Sequence, residues 1–200
     1  WMPVTDDYLG DPVEGLDVKT TLDLHLQDVA TNALEQQLRR HDAAWGTVVV
    51  CEVNTGFIRA IANLTRHEVS AGVVEYWEDF NHAIGTAVEP GSTFKLASLL
   101  TAMESGGVKP NDEIDTGNGV VSFYGKRMSD SNADEGGHGV LTTEEIFEVS
   151  SNVGTALTLK GAFGEDPQAF LDGLQRLGVH EPTGIRLAGE SQPQVYTEVG

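Results

Sequence analysis

Glu89-Pro90-Gly91-Ser92-Thr93-Phe94-Lys95, continued by Leu96-Ala97-Ser98-Leu99-Leu100-Thr101-Ala102-Met103-Glu104, is the stretch that most constrains this chain. Pro90-Gly91 is turn punctuation, and Ser92 stands where a helix takes its cap or first turn. Phe94, Ala97, Leu100 and Ala102-Met103 recur at helical spacing, and Gly106-Gly107 stops the run. Residues three apart share a helix face, so Ser92 and Lys95 are expected as neighbours, both buried behind an apolar helix. Burial lowers a lysine pKa until the free amine can take a hydroxyl proton, which makes the pair a workable nucleophile and base. The positive end of the helix dipole favours charge developing on the serine oxygen and on an attacked carbonyl. A Ser-x-x-Lys is cheap by itself, because a helix cap and a solvated lysine produce it too. Its setting at a turn and helix mouth, and a second motif downstream, raise it above that.

The 200 residues suffice for one domain with a real core. The 12 basic and 31 acidic residues leave a net charge of −19, which argues against nucleic acid and anionic membrane surfaces as partners. A solvated acidic surface is the plain explanation of that charge. No apolar run approaches a membrane span and no signal peptide is visible, which fits a cytosolic chain or the soluble part of something longer. Cys51 is alone and the six histidines lack ligand spacing, so no disulfide, metal site or cofactor is expected.

Residues 1–17 read as an irregular acidic linker or lead-in. Asp23 to about Arg40 has helical periodicity, with Arg39-Arg40-His41 suited to the negative end of its dipole. Thr47–Val53 is a β-branched run, Asn54-Thr55-Gly56 a turn, and Phe57–Ala62 a returning strand. The near-continuous apolar character of this hairpin implies that both its faces are covered. Residues 63–88 read as a long polar loop carrying Tyr76, Trp77 and Phe80, and Val120–Tyr124 as a short strand. Ser129-Asp130-Ser131-Asn132 reads as turn chemistry. Thr142 caps a helix whose Glu144 and Glu145 serve capping and solvent, and whose Ile146, Phe147 and Val149 face the core. The helix breaks at Ser150-Ser151-Asn152 and resumes from Val153 to about Leu159. A last helix runs from Pro167 to about Leu177, and residues 179–200 look irregular.

Ser150-x-Asn152 is the second motif. A helix junction can hold a hydroxyl and an amide rigidly toward a cleft, although the same residues also cap helices well. Ser150 would relay a proton between Lys95 and a leaving amine, and Asn152 would donate to a substrate carbonyl and to Lys95. Taken together, these motifs resemble the transpeptidase domain of penicillin-binding proteins, most of all the class B, cell-division type. The resemblance rests on Pro90-Gly91-Ser92-Thr93-Phe94-Lys95 and Ser150-Ser151-Asn152-Val153-Gly154. Lys19–Asp23, Asn54-Thr55-Gly56 with Ala60-Ile61-Ala62, and Gly184-Ile185 to Glu190 extend it over about residues 18–190.

The resemblance implies an α+β fold with helices packed on both sides of an antiparallel sheet, as in serine β-lactamases and penicillin-binding-protein transpeptidases, here incomplete. It implies acyl transfer. Ser92 would attack the D-Ala-D-Ala bond of a peptidoglycan stem peptide, with Lys95 as base, Ser150 as relay and Asn152 as substrate-orienting donor. The backbone N–H of Ser92 would form half of an oxyanion hole. Peptidoglycan stem peptides, β-lactam antibiotics and proteins of the cell-division or elongation machinery are the implied partners. The implied location is the inner membrane, with the catalytic domain in the periplasm and the anchor outside this sequence.

The family's third motif, Lys-Thr-Gly or Lys-Ser-Gly, is absent: Lys19-Thr20 is followed by Thr21, and Lys160 directly by Gly161. Residues 18–200 therefore read as the N-terminal portion of a transpeptidase domain. Slow or absent acylation is expected, with an open sheet edge that favours self-association. A serine β-lactamase and a non-catalytic penicillin-sensing or scaffold module are the alternatives.

Overall fold

The first expected helix forms over Leu24–His41 (α1) in a computed structural model that describes residues 15–199. Most of the expected lead-in lies outside the described residues, and residues 15–17 are exposed without regular structure. Asp23 caps α1 by accepting from the Leu26 N–H at 3.1 Å. Asp42, in the left-handed region at φ 46°, ends it just after Arg39-Arg40-His41.

The chain divides between Ala83 and Ile84 into two compact units. In the first, α1 packs on an antiparallel sheet of order β1-β2-β3, made of Trp45–Cys51, Ile58–Ser70 and Val73–Trp77. Ala30, Leu34 and Leu38 from one side meet Ala60, Ala62 and Leu64 from the other. The i, i+4 spacing of the helix trio and the i, i+2 spacing of the strand trio each present one apolar face. Gly46 allows the closest approach, since a Cβ there would stand 2.9 Å from the methyls of Leu34 and Leu38. Gln27 adds a polar clasp. Its side-chain amide donates to the Ile61 carbonyl at 3.0 Å and accepts from the Ile61 N–H at 2.9 Å, below the point where β3 pairs with β2.

The polar loop expected over 63–88 is instead largely strand. β2 continues to Ser70, turns at Ala71-Gly72 and returns as β3, with Thr65 opposite Trp77 and Glu68 opposite Val74. Arg66, His67 and Glu68 hide the pattern, because polar residues sit comfortably near a sheet edge and erase the apolar alternation that marks a strand. Tyr76 fixes the return by donating to the Ala43 carbonyl at 3.1 Å, and Trp77 stacks on His67 with centroids 3.6 Å apart. A four-residue helix, His82–Gly85 (α2), spans the division.

The second unit is mainly helical. A tight 3₁₀ turn, Gly91–Phe94, leads into α3 (Lys95–Glu104). Two small hairpin-like pairings follow: β4 (Glu113–Asp115) with β7 (Val140–Thr142), and β5 (Val120–Phe123) with β6 (Lys126–Ser129). Then come α4 (Thr143–Glu148), α5 (Asn152–Phe163) and α6 (Pro167–Arg176). Ala102, Val108 and Phe163 form the core, with Leu159, Ala169 and Phe170 against it. Small residues set the spacing: a Cβ on Gly154 would lie 2.6 Å from Ile146, and one on Gly173 would collide with the Thr101 methyl. The architecture is α+β, with antiparallel sheets and helices.

Thr142 caps α4 as read from the sequence, and Glu145 completes a reciprocal capping box with it, with bonds of 3.2 and 2.8 Å. Thr142→Ala is expected to lower stability by about 1 kcal/mol in chemical denaturation. Ile146 is fully buried as expected, whereas Phe147 and Val149 are exposed. Phe147 stands about 100° round the helix from Ile146, and Val149 is the C-cap residue beyond its end.

Candidate active site

All four candidate residues lie in the second unit, around the mouth of α3 and the α4–α5 junction. Gly91, at φ 60°, turns the chain after Pro90, and Thr93 Oγ1 donates back to the Pro90 carbonyl at 2.6 Å. Ser92 therefore sits in a 3₁₀ turn before α3 and makes no side-chain cap to it. The Lys95 N–H bonds to the Ser92 carbonyl, which sets the two residues one turn apart.

Burial departs from expectation. Ser92 is exposed and Lys95 only half-buried. Leu96 and Leu100, on the same helix, are 52% and 39% exposed, so this part of α3 lacks the apolar cover that would enclose the pair.

The geometry brings Lys95 and Ser150 together across 55 residues of sequence. Lys95 Nζ donates to the Ser150 carbonyl at 2.5 Å and to Ser150 Oγ at 3.0 Å. Desolvation holds the Lys95 amine below its ordinary pKa, opposed by the negative charge of Asp130. Both contacts reach one residue because Ser150 has a left-handed backbone, φ 55°. It closes α4 as a Schellman turn: Ser150 N–H donates to Phe147 O at 3.1 Å, and Ser151 N–H to Ile146 O at 3.0 Å. Glycine is the ordinary occupant of that position, and a side chain there costs roughly 1–2 kcal/mol.

Ser151 rather than Ser150 caps α5, accepting from the Gly154 N–H at 2.8 Å. Ser151 thus does the capping, while Ser150 faces the lysine. Asn152 is exposed at the start of α5 and does not reach Lys95. Its side-chain amide donates to the Ser129 carbonyl at 2.9 Å instead.

Sequence reasoning missed Asp130. The Ser129–Asn132 segment is more than a turn, since Asp130 is buried, with 6% exposure. Its Oδ2 accepts from Ser151 Oγ at 2.8 Å, and its Oδ1 accepts from the N–H groups of Asn152 and Val153 at 2.6 and 2.9 Å. An aspartate among serines, asparagines and glycines carries no local sign of such long-range partners.

Lys95 and Ser150 are thus in contact, and Ser92 stands one turn before Lys95. The model of the penicillin-binding-protein transpeptidase domain matches residues 46–196. The chain belongs to this family. It is 31% identical to the penicillin-binding protein PbpB of Mycobacterium tuberculosis over 183 residues, which are 90% of this chain and 26% of that protein. It is 28% identical to the peptidoglycan D,D-transpeptidase FtsI of Escherichia coli over 173 residues, 85% of this chain and 28% of that protein. The chain therefore spans about a quarter of the length of these curated relatives. Among solved structures, the transpeptidase domain of Burkholderia pseudomallei penicillin-binding protein 3 shares the fold. Its TM-score is 0.69 at 22% identity, over 90% of this chain and 48% of that one. A peptidoglycan glycosyltransferase from Burkholderia ambifaria gives 0.71 at 23% identity, over 89% and 50%.

Proposed function

We propose that this chain belongs to a D,D-transpeptidase that cross-links peptidoglycan stem peptides through a serine acyl-enzyme. The observation that carries this reading is the double contact of Lys95 with Ser150. A neutral lysine amine has two N–H donors and one lone pair. With its donors directed to the carbonyl and hydroxyl of Ser150, the lone pair is left to receive a proton.

Ser92 Oγ attacks the carbonyl carbon of the penultimate D-Ala, and its proton passes to Lys95. The Ser92 N–H, in the 3₁₀ turn that leads into α3, donates to the oxyanion. Collapse breaks the C–N bond, and the terminal D-Ala leaves with a proton passed from Lys95 through Ser150. An acceptor amine from a neighbouring strand then attacks the ester. It forms the new amide and returns a proton to Ser92. Asn152 orients the substrate with the amide hydrogen not engaged by Ser129. β-Lactams acylate the same serine and remain attached. The natural setting of the reaction is the outer face of the inner membrane, alongside the division or elongation machinery.

Intact-mass measurement with a fluorescent penicillin tests the reading. One penicillin mass should accumulate slowly, on the peptide that contains Ser92. Labelling elsewhere would overturn the assignment. Rapid turnover of a chromogenic cephalosporin would favour a β-lactamase.

A further inference from the structure

The conformation of Ser150 needs an explanation. It is an exposed, non-glycine residue with φ 55°, yet both its carbonyl and its hydroxyl meet one amine. Its own turn does not supply the reason, because the Schellman bonds would form equally well, and with less strain, around glycine. Something must hold the three residues that follow it.

We propose that Asp130 is the positioning residue for Ser150: its buried carboxylate gathers the Ser151 hydroxyl and the Asn152 and Val153 N–H groups, and so keeps Ser150 turned onto Lys95. The role in catalysis rests on the acyl-transfer reading above; the positioning itself does not. Asp130 is fixed from its own side. Its N–H donates to the Gly119 carbonyl at 2.9 Å, and it directly follows the last residue of β6. Two of the groups it gathers are N–H donors, and the third, the Ser151 hydroxyl, already accepts from the Gly154 N–H and donates to Asp130. Asparagine keeps the shape but loses the charge that strengthens all three bonds, and it turns an NH₂ toward a hydroxyl oxygen that the Gly154 N–H already engages. The buried carboxylate thus does for the junction what no local residue does. It anchors residues 151–153 as a block, and Ser150 must then bridge from the end of α4 to that block in its left-handed form.

Asp130→Asn tests this in the whole chain. Expected is loss of the nuclear Overhauser contact between the Lys95 side-chain methylene next to the amine and the Ser150 methylene, with helical circular dichroism retained. The fall in Tm caused by Asp130→Asn should also be at least halved when Ser150→Gly is present. A residue that relieves the left-handed backbone no longer needs the anchor. A merely structural carboxylate would lower Tm equally in both backgrounds and leave the Lys95–Ser150 contact at full intensity, and that result overturns the proposal. If Asp130→Asn alone does not fold, folding of Asp130→Asn with Ser150→Gly supports the proposal, and failure of both sinks it. Where the unaltered chain takes up penicillin, the labelling rate of Asp130→Asn should fall at least tenfold. If the unaltered chain does not label, the contact measurement and the Tm comparison alone decide the role of Asp130.

Discussion

Lys95→Met should lower the rate of penicillin labelling by roughly 10²–10⁴-fold, the usual contribution of a positioned general base. That brings it close to the level left by Ser92→Ala. Methionine keeps an unbranched apolar stem of nearly the reach of lysine and a good helix propensity, so α3 should persist, and Tm should stay near that of the unaltered chain. Residues that act as one unit lose little more when both are removed, so the double variant should label no more slowly than Ser92→Ala alone. The sign of the pH dependence follows from burial. Desolvation sets the folded pKa of Lys95 below its ordinary 10.5, and Asp130 opposes the shift without reversing it. Below the folded pKa, both folded and unfolded chains carry the proton, and the half-buried ammonium costs stability. Between the folded value and 10.5, the unfolded chain holds a proton that the folded chain has released, so stability rises with pH. Labelling should rise through the same lowered midpoint, because the free amine is the base. Lys95→Met should flatten both slopes. A labelling rate that keeps its alkaline rise without Lys95 would assign the base elsewhere.

Much of the local structure around the candidate site is legible in the sequence. Pro90-Gly91 and the apolar period after it announce a turn and a helix, with Ser92 and Lys95 one turn apart at the junction. The capping box at Thr142 and Glu145 and the break at Ser150 are equally local, and local signals survive folding well. Three features were not readable, each for a physical reason. The β2–β3 hairpin carries Arg66, His67 and Glu68 where a buried strand would carry aliphatic residues, so its regularity lies in backbone pairing and not in side-chain pattern. The exposure of Ser92 depends on what covers α3, which no property of α3 itself reports. The role of Asp130 depends on partners 21 to 23 residues away. Read locally, Ser-Asp-Ser-Asn is a turn, and only the fold turns its one carboxylate inward.

Gly137→Ala should be among the most damaging single changes in the second unit, because it combines two costs that neighbouring positions keep apart. Gly137 has φ +75°, where an alanine loses roughly 1–2 kcal/mol through its Cβ. That Cβ would also collide with backbone: the Asn118 carbonyl carbon, the Gly119 nitrogen, and the Asn118 Cα at 2.7 Å. No rotamer change relieves a clash with main chain, so the 118–119 turn must move, adding about 1–3 kcal/mol. The expected total is about 3 kcal/mol or more, a Tm shift of roughly 6–12 °C for a chain of this size. Gly136→Ala is the control. It has φ 102° but open space around the added carbon, so it should show the conformational cost alone. Displacement at Gly119 should also reach the site, because the Gly119 carbonyl holds the Asp130 N–H. Hydrogen exchange at the Asp130, Asn152 and Val153 amides should therefore quicken in Gly137→Ala and stay nearly unchanged in Gly136→Ala. Equal losses of Tm in the two variants would show that the 118–119 turn yields freely, and that Asp130 takes its position from β6 instead.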